Sequence, residues 1–244
     1  MDNFRASYFA GALMINRNQV KEELKEIFQS ETWNGDAILE LLKHHEVTPE
    51  TYLHRLSQIL PGLFKITELH YFRFEHFVGI NEIRLTKELN MPRTLVPSGV
   101  RLKEHHCRRW LPVSLLKILE EEQLKGNPNK ILISTQRAQF VESADEVLFI
   151  SIAHALPLRS KMNRCVSIGL RIENALKRKV KFLNDLQIPV EKVNQNCDRC
   201  SLDNSQCSEH TAAPSFFIQE EIEELMNRML KKLVTYYRTK SLKI

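Results

Sequence analysis

Glu146-Val147-Leu148-Phe149-Ile150-Ser151-Ile152-Ala153-His154-Ala155 is the stretch on which the fold turns. Aromatic and β-branched residues dominate it, as they do Lys130 to Phe140 before it and Cys165 to Ile172 after it. Three strands are expected there, and a central sheet flanked by helices is the natural architecture. Gly126-Asn127-Pro128-Asn129 breaks the chain just ahead of them.

Upstream of that breaker, Leu111 to Leu124 reads as a helix whose apolar face is Leu115, Leu116, Ile118 and Leu119. Asn90-Met91-Pro92 through Pro97-Ser98-Gly99 reads as a loop or crossover. Ile66, Leu69, Tyr71, Phe72, Phe74 and Phe77 form an aromatic, β-favouring run, followed by Ile83-Arg84-Leu85. The first sixty residues are helical in pattern, with Phe4, Tyr8, Phe9, Ala12 and Leu13, then Val20, Leu24, Ile27 and Phe28, at helical spacing. Asp36 starts a helix carrying Ile38, Leu39, Leu41 and Leu42. Thr48 is the expected cap of the next, with Pro49 in its first position and Pro61-Gly62 at its end. These two short helices have the outline of a helix-turn-helix, but Pro49 and Glu50 occupy the turn that would meet bases. They read as a packed helical pair first and a DNA reader second. At the other end, Ser215 opens a helix whose Ile218, Ile222, Leu225, Met226, Met229, Leu230 and Leu233 form one stripe suited to a dimer contact. Its acids come early and its bases late, matching the helix dipole.

The expected class is therefore α+β: a helical segment over 1–62, a sheet domain over 63–214, and a C-terminal amphipathic helix over 215–244. The 244 residues are 43% hydrophobic and 27% charged, with a formal charge of +5, enough for a sizeable core and only mildly basic. No apolar run approaches the roughly 20 residues of a membrane span. The run from Tyr8 to Ile15 follows Asp2 and leads to no clear cleavage site, so it reads as a buried or interfacial helix rather than a secretory core. The cytoplasm is the expected address.

Cys197-Asp198-Arg199-Cys200, followed by Cys207, puts three of the five cysteines into one polar loop. Sulfurs this dense point to a metal, because one inorganic centre satisfies several soft donors at once. A disulfide within the trio would leave an odd thiol. Three sulfurs rarely close a site, so a fourth donor is expected. Cys107 in Glu104-His105-His106-Cys107-Arg108-Arg109-Trp110 has cationic neighbours that favour thiolate. His210 would complete C-x2-C-x6-C-x2-H and suit zinc, and Cys165 is the weaker third choice on an apolar strand. Four cysteines lean toward an iron–sulfur cluster and a histidine toward zinc; spacing leaves both open.

Several of these motifs carry a resemblance. Ala6-Ser7-Tyr8-Phe9-Ala10-Gly11-Ala12-Leu13-Met14 looks like the post-catalytic helix of ImmA/IrrE-type domains. Cys107-Arg108-Arg109-Trp110, Phe149-Ile150-Ser151-Ile152-Ala153, Val166-Ser167-Ile168-Gly169-Leu170 and the cysteine loop through Cys207 to Ala212-Ala213-Pro214 resemble the C-terminal sensor region of XRE-family, short-chain fatty acyl transcriptional regulators. The resemblance implies a GAF-like sheet domain, sensing of a short-chain acyl-CoA in some members, and a cluster held by Cys107, Cys197, Cys200 and Cys207. The sequence departs from the pattern. It contains no H-E-x-x-H, since His45-Glu46 continues Val47-Thr48-Pro49, and Arg5 stands where an acid is usual. The six-residue gap before Cys207 is longer than expected and His210 replaces a more usual arginine. The helix-turn-helix reader of the family would lie upstream of the chain's start, so DNA would be met through a missing or separate reader.

Lys177, Arg178, Lys179 and Lys181 make the densest basic run, either a solvated face or a clamp for coenzyme A phosphates or nucleic-acid backbone. His154 reads as a structural histidine on a sheet face. No phosphate-loop glycine pattern and no paired nucleophile and base are present, so no enzyme is expected. The expected function is a sensor half of a transcriptional regulator with an iron–sulfur or zinc centre. The alternatives are a zinc-stabilised interaction module and an inactive ImmA/IrrE metallopeptidase relative.

Overall fold

A computed structural model of the chain describes residues 2–80, 82–90, 105–143, 145–157, 159, 161–198, 200–202, 205–208 and 225–233, with side chains from residue 8 onward. Its first elements are helices: α1 (Asp2–Met14), α2 (Arg17–Gln29), α3 (Gly35–His44) and α4 (Pro49–Phe64). Each of the last three starts on a polar cap. The Asn16 side chain accepts from the N–H groups of Asn18 and Gln19, Asn34 from those of Asp36 and Ala37, and Thr48 from that of Thr51. α4 runs past Pro61 to Phe64, a turn beyond the end its Pro-Gly pair suggests. Proline removes one ladder donor there, and the apolar face of the helix, including Ile59 and Leu60, is buried in the core on either account. The Phe64 carbonyl then accepts from the Lys179 ammonium.

Strands β1 (Leu69–Phe77) and β2 (Ile83–Asn90) precede α5 (Leu111–Leu124). β3 (Leu132–Phe140), β4 (Glu146–Ala155) and β5 (Met162–Arg171) follow, then the one-turn α6 (Asn174–Lys177), a 3-10 turn (Lys181–Asn184), β6 (Val190–Val193) and the helix α7 (225–233). The sheet order is β2-β1-β5-β4-β3-β6, antiparallel throughout except for β6 against β3. The fold is α+β, a helical N-terminal segment followed by a sheet. The expected loop at 91–99 and the cap at Ser215 lie outside the described residues.

Both faces of the sheet are covered, which is why β4 and β5 read as nearly continuous apolar runs rather than alternating ones. One face turns Leu148, Ile150, Ile152, Val166, Ile168 and Leu170 toward α2, α3 and α4, in one cluster with Val20, Leu24, Phe28, Leu53, Leu56 and Leu60. The other turns Phe72, Phe74, Phe149, Ala153 and Cys165 toward α5, with Leu111, Leu115, Leu116 and Leu119. Two glycines permit close approach. A Cβ on Gly169 would lie 2.5 Å from Cε1 of Phe149, and one on Gly35 would lie 2.8 Å from Cγ2 of Ile133.

α4 lies on the sheet with its first turn engaged: Glu50 accepts from Arg73 (2.9 Å) and Arg164 (2.6 Å), and Arg164 also binds Glu75. That leading turn is thus engaged with the sheet, and α3 and α4 contribute to one apolar cluster. Of the two readings of α1, buried or interfacial, the buried one does not hold. Of the apolar run from Tyr8, Ile15 is buried, whereas Phe9, Leu13 and Met14 are exposed. Among the described residues, no helix is long and apolar enough to cross a membrane.

Candidate metal centre

β6 adds to the far edge of the sheet beside β3, and the chain leaving it, 194–197, runs antiparallel to the segment that enters α5. His106 bridges Asn196; the Cys197 N–H donates to the His105 carbonyl (2.9 Å) and the Cys107 N–H to the Gln195 carbonyl (3.4 Å). This short ladder is what carries Cys107 to Cys197.

Two side chains hold the entering segment. Trp110 is buried in an aromatic nest, its ring centroid 5.3 Å from Phe72, 5.5 Å from Phe74 and 5.6 Å from Phe149. Gln136 of β3 is buried and spans the turn, accepting from the Leu111 N–H (3.1 Å) and donating to the Arg109 carbonyl (2.9 Å). From the same turn, Arg109 donates to the Gln206 carbonyl (2.9 Å), immediately before Cys207. Asp198 accepts from the His105 N–H, and the Cys200 N–H donates to the Cys197 carbonyl (3.3 Å). The loop is thus tied back to the segment at several points along its length.

All five cysteines are free thiols; Cys107, Cys165, Cys197 and Cys207 are buried and Cys200 is half-buried. Cys107 and Cys197 are hydrogen-bonded to each other. Cys107 keeps its proton because its S–H donates to Cys197 and burial adds to the effect; the same bond draws Cys197 toward thiolate, aided by the N–H and positive charge of Arg108. Backbone N–H groups of Asn194 and Arg109 point at the Cys107 sulfur. Cys165 stands apart on β5, opposite Ala153 and Phe74, wholly buried, its thiol pushed up by burial. Its burial within the sheet core separates it from the cysteine loop.

The structure therefore brings Cys107 and Cys197 together, while Cys200 and Cys207 lie further along the same loop and are not gathered with them into one group. Among the described residues, no three Cys, His, Asp or Glu side chains converge into a group able to hold an ion. His210, the alternative ligand, lies outside the described residues. The donor chemistry nevertheless fits a soft or borderline ion: the paired thiols are buried, unbridged, and met by backbone N–H donors of the kind that stabilise thiolate. Cys107 and Cys197 are the two side chains placed to hold it, and Cys200 and Cys207 would have to close on them to complete the expected set. A zinc ion there would supply folding free energy, and an iron–sulfur cluster would supply redox chemistry.

His106 and Gln136 were not among the expected site residues. The His106 ring packs edge-on against Phe74 (5.1 Å), burial lowers its pKa to about 4, and its Nδ1 is buried with no hydrogen-bond partner. His106 could have been suspected, since it adjoins Cys107. Gln136 could not, since a lone glutamine in a strand carries no signal. The basic run divides by role. Lys179 caps α4, Lys181 lies 3.4 Å from Glu31, and Lys177 and Arg178 are exposed.

No family model, no curated protein and no solved structure matches this chain.

Proposed function

We propose that this chain is the sensor protein of a transcriptional regulator, built around a centre held by Cys107, Cys197, Cys200 and Cys207. The observation that carries the reading is the buried Cys107–Cys197 contact between segments far apart in the sequence, with N–H donors turned toward both sulfurs. Buried thiols that only filled space would have no need of such donors. The resemblance to short-chain fatty acyl regulators rests on the residues that build this place: the Cys107-Arg108-Arg109-Trp110 element and the cysteine loop.

The switching logic follows from the connections. The centre would fasten the loop after β6 to the segment entering α5, and α5 packs across β3, β4 and β5. Loss or change of the centre would release that loop and alter the surface offered to a separate DNA-binding partner. A short-chain acyl-CoA is the proposed small ligand, with exposed Lys177 and Arg178 as the side chains left to meet its phosphates. The site lies within the GAF-like sheet domain of this reading, and the address is the cytoplasm.

Anaerobic isolation of the chain with elemental analysis is the test. Iron with inorganic sulfide and a visible absorption band supports the sensor. Stoichiometric zinc in colourless protein, with folding lost on chelation, assigns the chain to the zinc-stabilised module. Protein that binds neither metal overturns both.

A further inference from the structure

We infer that one proton, held between His76 of β1 and Glu120 of α5, clasps the β1–β2 turn to α5 and makes that attachment sensitive to pH. His76 is buried, and both nitrogens of its ring face acceptors. Nδ1 lies 3.1 Å from the Glu82 carbonyl oxygen, which can only accept. Nε2 lies 3.0 Å from Oε2 of Glu120, and the other carboxylate oxygen accepts from the Gly79 N–H at 2.6 Å. A neutral imidazole has one N–H, and Nδ1 uses it on the carbonyl. The Nε2 bond therefore needs a second proton. Without it, a nitrogen lone pair and a carboxylate oxygen would face each other in a buried setting.

That proton sits on the ring. Burial acts to raise the Glu120 carboxyl, but the Gly79 N–H and His76 outweigh it and hold the group below the ordinary carboxylate range. The carboxylate stays ionised, and the imidazolium carries the charge opposite it. The other charged groups nearby are differently engaged. On β2, Ile83 is opposite His76, and Glu82 and Arg84 beside it pair with each other. On β5, Asn163 is opposite, exchanging two hydrogen bonds with Gln123 of α5, and Arg164 next to it binds Glu75. Lys161 meets the turn through its carbonyl, which accepts from the Val78 N–H at 2.9 Å. Lys117 and Glu121 are the charged residues flanking Glu120 on α5.

Hydrogen exchange at the Gly79 amide of the full chain, followed by NMR and corrected for the intrinsic rate, reads the clasp. Opening releases the second proton above about pH 6.5, where a solvated histidine is neutral. Protection should fall there by up to about tenfold per pH unit. Glu120→Gln keeps both bonds without that proton: its carbonyl oxygen accepts from Gly79 and its NH2 donates to Nε2 of a neutral ring. Its protection should be flat across the same range. Nitrogen-15 shifts of the His76 ring should show both nitrogens protonated at neutral pH in the parent chain and one in Glu120→Gln. A neutral ring in the parent overturns the inference, and so does a pH dependence that Glu120→Gln leaves unchanged. Should the variant fail to fold, the ring shifts of the parent decide alone.

Discussion

The S–H of Cys107 donates to the sulfur of Cys197, and the pair is buried where the chain entering α5 crosses the chain leaving β6. Each partner sets the other's state: one thiol stays protonated and its neighbour is drawn toward thiolate. A soft ion would take the place of that shared proton.

Substitution should separate these thiols from the fifth. On the proposed centre, Cys107→Ser and Cys197→Ser are each expected to abolish metal binding and Cys165→Ser to leave it intact, because Cys165 faces the Phe74 side of the sheet core. Elemental analysis of the three variants, purified alike, checks this. Metal retained in Cys107→Ser would move the fourth position to His210.

Gln136 is the hinge-pin of the site. In Gln136→Leu the Leu111 N–H and the Arg109 carbonyl lose their partners in a buried setting, at a cost of about 2–4 kcal/mol. Urea unfolding should show that loss. Metal affinity should fall with it, since the same turn carries Cys107.

Gly169→Ala should destabilise by about 1–3 kcal/mol, because the added methyl meets Phe149 at 2.5 Å and must displace an aromatic ring in a filled core. Thermal melting measures the shift. A further Phe149→Leu change should recover part of it, and additive losses would count against the contact.

His154 gives the fold a pH dependence of definite sign. Burial lowers its pKa below the ordinary histidine value near 6.5, its Nδ1 lies 3.0 Å from the Ala155 carbonyl, and its Nε2 is buried with no partner. The unfolded chain therefore binds the proton more readily. Stability from this residue is present above about pH 6.5 and is lost as the pH falls toward the lowered folded value. His154→Gln should flatten the decline in melting temperature below that pH.

How much was legible differs from element to element. α5 spans the residues its apolar spacing marks, β4 spans its aromatic and β-branched run, and Thr48 caps α4 as its place before Pro49 suggests. β6 was not legible. Val190–Val193 is too short for a pattern, and it is a strand because it finds the open edge of β3. Whether Phe9 and Leu13 would be buried or exposed was not legible, because helical spacing shows which side chains share a face, not whether anything covers it.

By itself the sequence determined the alternation of helix and strand and the gathering of three cysteines into one polar loop, because spacing and composition act over a few residues. Which distant thiol would meet the loop was a tertiary matter. Cys107 and Cys165 both end up buried, and the edge pairing of β6, the Trp110 nest and the Gln136 bridge carry Cys107 to Cys197 while Cys165 stays within the sheet core. Contacts made across that much chain depend on the packing of the whole fold, which no local pattern encodes.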